Sequence, residues 1–296
     1  MRVGIIGTGA MGGPMAQRLL SRGHRVHVHD VNPNRIDQMQ RAGATVQPNP
    51  GAVARHVDVV VLVVVTADEC SDVVSGPDGL EAELGSGHTV LLCSTIAPES
   101  ARSLAATIHK AGARTIDAPI SGGPKRARSG EMSMMIAASS PTIAAVQPLL
   151  DDLATQQFIV SEEIGDASTA KLLNNLAAGV NLVAAMQAMA AGTKLGLDPQ
   201  ILASIMAASS GQSWAANDRI PRALDDDFTP RAALSVLTKD LTLAVELLEA
   251  RGESAGLTAA ALANFHAASA AGWQDHDDAA LYRWLLGHDS SDHPWE

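Results

Sequence analysis

The chain is predicted to be α/β in its first part and all-helical in its second. A doubly wound sheet is followed by an all-α C-terminal domain, and one long interdomain helix links them. Three observations predict this. The chain opens on a strand, a glycine turn and a helix: Arg2 to Ile6, then Gly7-Thr8-Gly9-Ala10-Met11-Gly12, then Met15 to Leu20. Short β-branched runs then alternate with helical stretches, the pattern of a parallel sheet. Finally, Asp166 to Leu195 lies between Gly165 and Gly196 and is dominated by Ala, Leu and Met. It reads as a single helix of roughly 30 residues, on the order of 45 Å long. The expected division is a sheet domain over residues 1–163 and an all-helical substrate and dimerisation domain over residues 164–296.

The totals fit two soluble domains. A chain of 296 residues that is 46% hydrophobic buries a sizeable core, and its formal charge of -11 disfavours nucleic acid or an anionic membrane as partner. An anionic substrate would need local positive groups. Cys70 and Cys93, the two cysteines, sit in hydrophobic segments and offer neither a disulfide framework nor a CxxC pair. That fits a reducing compartment. The chain enters its first strand without a charged leader, which predicts a cytoplasmic protein. Lys171, Asn174, Asn175, Asn181 and Gln187 interrupt the long helix, so it is not expected to span a membrane.

Each early element has a reason. Gly7 allows the turn, Gly9 lets a pyrophosphate approach the backbone, and Gly12 lets the helix lie close to the strand. Thr8, Ala10 and Met11 complete the loop that leads into a helix N-terminus, where unpaired N–H groups favour phosphate. The second strand, Arg25 to His29, ends in Asp30, where a Rossmann-type site places the acidic group for the ribose 2′-hydroxyl. NAD is therefore expected over NADP, although Arg35 nearby could admit a 2′-phosphate. Val57 to Val65 is a continuous apolar run, as in a strand buried on both faces. Thr66, at its exit, is a candidate cofactor contact. His88 to Cys93 is the next strand. Thr95 follows it, and either touches the cofactor or caps the helix from Pro98. Arg114 to Asp117 leads into Ser121-Gly122-Gly123, a turn able to nest a carboxylate, with Lys125, Arg126 and Arg128 close behind. Glu131 to Ala137 and Gln156 to Val160 complete the strands.

On the long helix, Lys171 and Asn175 are four residues apart and share a face, whereas Asn174 is displaced by about 100°. Further helices are expected near 199–208, 231–251, 257–270 and 278–286. Between them, Ser209 to Arg219 gathers polar groups around Trp214, a candidate substrate contact. Lys239 either is a solvated helix residue or reaches the cofactor. His24, His27 and His29 lack partners at metal-ligand spacing, so no metal is expected. His288, Asp289, Asp292 and His293 form a polar tail expected to be mobile.

With these motifs in hand, the chain resembles the β-hydroxyacid dehydrogenases, the 3-hydroxyisobutyrate dehydrogenase-like family. The resemblance runs nearly end to end through GIIGTGAMGGPMA, CSTIAP, DAPISGGPKRARSGEM, GDASTAKLLNN and LTKDL. It implies that Lys171 is the catalytic lysine and Asn175 its substrate-holding partner. It further implies that Ser121, Gly122 and Gly123 bind the substrate carboxylate and that Thr95 and Lys239 contact the cofactor. Ala167 stands where members often carry a second glycine. The stretch GQSWAANDRIPRALDDDFTPRAA resembles the L-threonate dehydrogenase branch most, which implies a short sugar acid of about four carbons.

The expected activity is NAD-dependent hydride transfer between nicotinamide and a small C3–C5 hydroxy acid, L-threonate or 3-hydroxyisobutyrate among them. A free lysine, with a pKa near 10.4, is a poor base at neutral pH. Burial and the positive charge of oxidised nicotinamide are both expected to lower it. Two alternatives are an NADPH-linked reductase of tartronate or succinic semialdehyde and a non-catalytic NAD(P)-binding protein. The family covers its long helix with a second subunit, so a homodimer or homotetramer is expected.

Overall fold

The structure, a computed structural model, describes residues 1–229 and 231–289. Asp292 and His293 of the polar tail lie outside them. The chain divides into two compact units, Met1–Lys171 and Leu172–Glu296.

The first unit is built on a nine-stranded mixed sheet. Its parallel part contains β1 (Arg2–Ile6), β2 (Arg25–His29), β3 (Thr45–Val46), β4 (Val59–Leu62), β5 (Thr89–Leu92) and β6 (Arg114–Asp117), in the order β3-β2-β1-β4-β5-β6. Strand order therefore reverses at β1, and the Gly7–Gly12 loop leaves from that switch point, the place where open α/β sheets bind ligands. The remaining strands are β7 (Ile120–Ser121), β8 (Ser133–Ala137) and β9 (Gln156–Ser161). β8 runs antiparallel to β6 and β7, and β9 runs parallel to β8.

Helices cover both faces of the sheet. They are α1 (Gly12–Ser21), α2 (Pro33–Arg41), α3 (Pro50–Ala54), α4 (Ala67–Ser75), α5 (Pro98–Lys110), α6 (Gly123–Ser129) and α7 (Ser140–Leu153). Alternation along the strands sorts the core into two layers. Val3, Ile5, Val59, Val61 and Leu91 share one cluster with Met15 and Leu19 of α1 and Val146 and Leu149 of α7. Ile6, Val60, Leu62, Val90 and Leu92 share the other with Val53, Cys70, Val74, Leu104 and Ile108.

The run from Val57 to Val65 is strand only over Val59–Leu62. Its pairing ends because Gly7 turns away at φ 88, leaving Val63 N–H bonded to the Ile6 carbonyl and Val64 N–H to the Ser94 hydroxyl. The short strands β3 and β7 and the helix α6 went unread in the sequence. Two-residue strands carry no period, and Gly122-Gly123 looks like a turn until the chain closes helically behind it.

The long helix α8 spans Asp166–Lys194, and the division between the units falls within it. By length and composition it could cross a membrane, yet 44% of its most apolar window is buried within the structure. Leu182, Val183, Met186 and Met189 belong to the core of the second unit. That core also takes Ile220 from α10 (Trp214–Leu224), Leu234 and Leu241 from α11 (Leu234–Glu249), Phe265 from α12 (Gly256–Ala268), and Leu281 and Tyr282 from α13 (Leu281–Leu286). The helix α9 (Pro199–Ala208) buries none of its residues. Gly179 brings α8 close to α11, since a Cβ there would lie 2.8 Å from Leu241.

Two expectations change in this unit. Residues 209–219 are not an irregular polar segment, because α10 begins at Trp214, capped by the Ser213 hydroxyl, which accepts from Ala216 N–H at 3.1 Å. The stretch 257–270 ends its α-helix at Ala268 and continues as a π-helical turn, Ser269–Trp273, where Gly272 sits at φ 90.

Candidate functional site

In the first unit, the loop after β1 is shaped by backbone approach. A Cβ on Gly7 would lie 2.3 Å from the Val63 carbonyl oxygen, and one on Gly12 would lie 1.9 Å from the Gly7 carbonyl oxygen. No other residue fits either position. Helix α1 starts at Gly12, with Met11 at its N-cap and no side chain capping its N–H groups. An uncapped helix start behind a glycine cradle suits a pyrophosphate. Ala10, at the loop tip, is exposed, whereas Thr8 is buried.

Asp30 follows β2 as expected, but its carboxylate serves the loop. Oδ2 accepts from Thr8 N–H at 2.6 Å and from the Thr8 hydroxyl at 3.0 Å, and Oδ1 accepts from Asn32 N–H at 2.8 Å. Arg35 Nη1 lies 3.8 Å from Oδ2.

Thr66 N-caps α4. Its hydroxyl accepts from Glu69 N–H at 3.1 Å, and Glu69 Oε2 accepts from Thr66 N–H at 3.2 Å. This capping box occupies the hydroxyl while leaving Thr66 at the carboxyl end of β4. Thr95 is not the cap of α5, because Ala97 holds that position without a side-chain hydrogen bond. Thr95 instead sits half-buried just beyond β5. Ser121 pairs with Ser133 at the end of β7, and Gly122 and Gly123 open α6 at φ 131 and 73. A Cβ on Gly122 would meet Arg126 at 2.9 Å, whereas one on Gly123 would meet nothing within 4 Å.

Asp117, the last residue of β6, ties the sheet to α8. Its Oδ2 accepts from the N–H groups of Gly165 and Ser168, each at 2.9 Å, and its Oδ1 from the Ser168 hydroxyl at 2.7 Å. A side chain about fifty residues upstream thus does the work of an N-cap. Burial pushes its carboxyl above the usual range, against the pull of the Ser168 and Gly165 hydrogen bonds. Lys171 follows in the next turn of α8 and is only 7% exposed.

In the second unit, Asp240 is the residue that sequence reasoning missed. It is 4% exposed on α11. Oδ2 accepts from Asn175 Nδ2 at 2.6 Å and Oδ1 from Lys239 Nζ at 2.7 Å. One carboxylate therefore orients two of the predicted site residues, and Lys239 is no plain solvated residue. The signal was the Lys-Asp pair within LTKDL, read for its lysine alone. Asn174 lies outside this pairing and donates to Asn175 Oδ1 at 3.0 Å. Trp214 is 59% exposed, with the Arg219 guanidinium 4.8 Å from its ring centroid. Arg219 is itself held by Asp278 at 2.6 Å and by Asp218.

Comparison with known proteins places the chain in a family. Residues 2–165 match the family described as the NAD binding domain of 6-phosphogluconate dehydrogenase. Residues 165–285 match that described as the NAD-binding of NADP-dependent 3-hydroxyisobutyrate dehydrogenase. The chain is 34% identical over 285 residues to L-threonate dehydrogenase of Cupriavidus necator, covering 96% of each. It is 32% identical to the crystal structure of a 3-hydroxyisobutyrate dehydrogenase from Salmonella typhimurium, with a TM-score of 0.88 over 96% of this chain and 99% of that one. It is 31% identical to Psf3 in complex with NADP+ and 2-OPP, with a TM-score of 0.89 over 96% and 99%.

Proposed function

We propose a function on the premise that this chain belongs to the β-hydroxyacid dehydrogenase family, of the 3-hydroxyisobutyrate dehydrogenase type. It is an NAD(P)-dependent oxidoreductase acting on a small hydroxy acid. The finer reading is oxidation of a C3–C5 hydroxy acid at its carbinol carbon, with a four-carbon sugar acid such as L-threonate as substrate. The 34% identity to an L-threonate dehydrogenase over 96% of both chains supports that choice.

One observation carries the mechanism. Lys171 is a buried amine, 7% exposed, on a helix whose first turn is fastened to the carboxyl end of β6. Ligands in such sheets sit beyond the carboxyl ends of the strands. When bound, NAD(P)+ accepts the hydride lost from the carbinol carbon. The chain's own groups manage the proton and the pose. Lys171 Nζ accepts the hydroxyl proton during oxidation, and in reduction its ammonium returns that proton to the forming alkoxide. The Asn175 amide, oriented by Asp240, holds the reacting oxygen. The Ser121 hydroxyl and the N–H groups of Gly122 and Gly123 take the substrate carboxylate. Trp214 packs against the substrate. The Gly7–Gly12 loop, Thr66, Thr95 and Lys239 hold the coenzyme.

The test is a screen of the purified chain against C3–C5 hydroxy acids with NAD+ and NADP+, following absorbance of the reduced coenzyme. Turnover of L-threonate above its three- and five-carbon neighbours supports the reading. Turnover of none with either coenzyme refutes it. The same reading has the chain working as a homodimer or homotetramer, because Leu195, Leu197, Ile201 and Ile205 are all more than half exposed around α9. Light scattering that gives a monomer at micromolar concentration refutes this part.

A further inference from the structure

We propose that Arg219 is a positioning residue for the substrate: it fixes the indole of Trp214, and the Asp278 carboxylate fixes Arg219. The inference rests on Trp214 packing against the substrate, and it concerns what holds that ring in place.

Trp214 is the first residue of α10, and it is 59% exposed. No hydrogen bond to another described residue restrains its indole. A bulky side chain so placed is free to rotate, and a ligand that must stop the rotation binds less tightly. The Arg219 guanidinium, 4.8 Å from the ring centroid, opposes that rotation by cation–π attraction. The helix alone does not bring the two together. Side chains meet along a helix at spacings of three and four, whereas Trp214 and Arg219 are five apart. Arg219 must therefore be aimed.

What aims it is distant in sequence. Asp278 opens the single turn Asp278–Ala280 ahead of α13. Its Oδ1 accepts from Arg219 Nε at 2.6 Å and its Oδ2 from Arg219 Nη2 at 3.0 Å, a two-point fork that sets the plane of the guanidinium. Asp218 accepts from Nη1. The nitrogens are thus engaged in the plane, and a face of the cation is left for the indole. Arg219 is 9% exposed and Asp278 4%. Burial works against the charged guanidinium, but Asp278 and Asp218 outweigh it and keep the group a cation.

The mount is itself tied down. Arg222, one turn beyond Arg219 on α10, donates from Nη2 to Asp277 Oδ1 at 3.0 Å. Asp277 also accepts from the N–H groups of Arg231, Ala232 and Ala279 at 2.8, 3.2 and 3.1 Å. Two adjacent carboxylates therefore clamp two arginines on one face of α10. A buried ion pair is a costly way to stabilise a fold, since apolar residues of like volume often do as well. This one ends on an exposed ring. It supplies what an apolar pair could not, a planar cation that holds an indole in one pose before the substrate arrives.

The experiment is steady-state kinetics of the full chain at saturating NAD+, with L-threonate or whichever C3–C5 hydroxy acid the screen ranks first. The variants are Trp214→Ala, Arg219→Lys and Asp278→Asn, with each of the last two also made in the Trp214→Ala background. Trp214→Ala should raise KM roughly tenfold. Arg219→Lys keeps the charge and loses the fork, so KM should rise about three- to tenfold with kcat within about twofold, because a ring ordered in advance acts on binding. Asp278→Asn keeps the shape and loses the charge. It should follow Arg219→Lys by a smaller factor, and it decides the question if Arg219→Lys fails to fold. In the Trp214→Ala background either change should alter KM by less than about twofold, because the ring it serves is gone. An equal rise in KM with and without Trp214 overturns the inference, by showing that Arg219 acts through the fold alone. An unchanged KM in both Arg219→Lys and Asp278→Asn also overturns it, whatever their melting temperatures. Trp214→Ala with a wild-type KM removes Trp214 as a substrate contact, and this inference with it.

Discussion

Replacing Asp117 by alanine should unfasten the start of α8. The substitution removes the acceptor of two N–H groups, from Gly165 and Ser168, and of the Ser168 hydroxyl. The hydroxyl can rotate toward another acceptor, but the N–H groups cannot. A buried donor without a partner costs about 1–3 kcal/mol, so the pair costs about 2–6 kcal/mol. Relief of the buried charge, whose carboxyl is already pushed up by desolvation, returns part of that. A net loss of about 2–4 kcal/mol is expected, a large share of the roughly 5–15 kcal/mol that holds a domain together. The assay is urea unfolding followed by far-UV circular dichroism. Asp117→Asn is the control, since its Oδ1 can accept both N–H groups while its Nδ2 donates to the Ser168 oxygen. It should unfold within about 1 kcal/mol of wild type. The pH dependence separates the two further. Because the Asp117 carboxyl is raised in the folded state, its favourable contribution is complete below the unfolded value of about 3.9 and is lost as pH rises through the folded value. Wild type should therefore lose stability relative to Asp117→Asn as pH climbs above about 4. Asp117→Ala unfolding within 1 kcal/mol of wild type would refute the reasoning.

The other perturbations are simpler. Gly12→Ala would place a Cβ 1.9 Å from the Gly7 carbonyl oxygen, so calorimetry should find coenzyme binding lost and melting lowered. Asp240→Ala removes an acceptor from both Asn175 and Lys239, and kcat/KM should fall roughly ten- to hundredfold, equivalent to about 1.5–3 kcal/mol for charge-assisted contacts. At Asp152, burial raises the carboxyl, but hydrogen bonds from His24 and Arg22 outweigh that and hold it below the usual range. Its stabilisation is then present above about pH 3.9 and lost as pH falls through the lower folded value, so Asp152→Asn should flatten the acid limb of a stability profile.

Much of this was legible in the residues, because local chemistry leaves local signs. The glycine loop showed itself through glycines that backbone contacts demand at Gly7 and Gly12. The strands showed themselves through β-branched runs, and α8 through a long stretch dominated by Ala, Leu and Met. What escaped notice depends on partners distant in sequence. Asp117 looked like the end of a strand until Gly165 and Ser168 were seen to bond it. Asp240 was one acid beside a lysine until Asn175 arrived from 65 positions away. Thr95 offered two readings, and the capping one fails because Ala97 takes that place. The helix at Trp214 was hidden by Asn217, Asp218 and Pro221, which are poor helix formers. Its buried side, including Ala216, Ile220 and Ala223, stabilises it instead.

The most direct measurement is a single-turnover experiment with Lys171→Ala, following reduced coenzyme after mixing with L-threonate, alongside calorimetry of coenzyme binding. The account predicts coenzyme affinity within about threefold of wild type and hydride transfer slowed by at least roughly a hundredfold, the usual scale for a lost general base. Lys171→Arg should not restore the rate, since a guanidinium does not give up its proton. Transfer in Lys171→Ala at a rate near that of wild type would contradict the account.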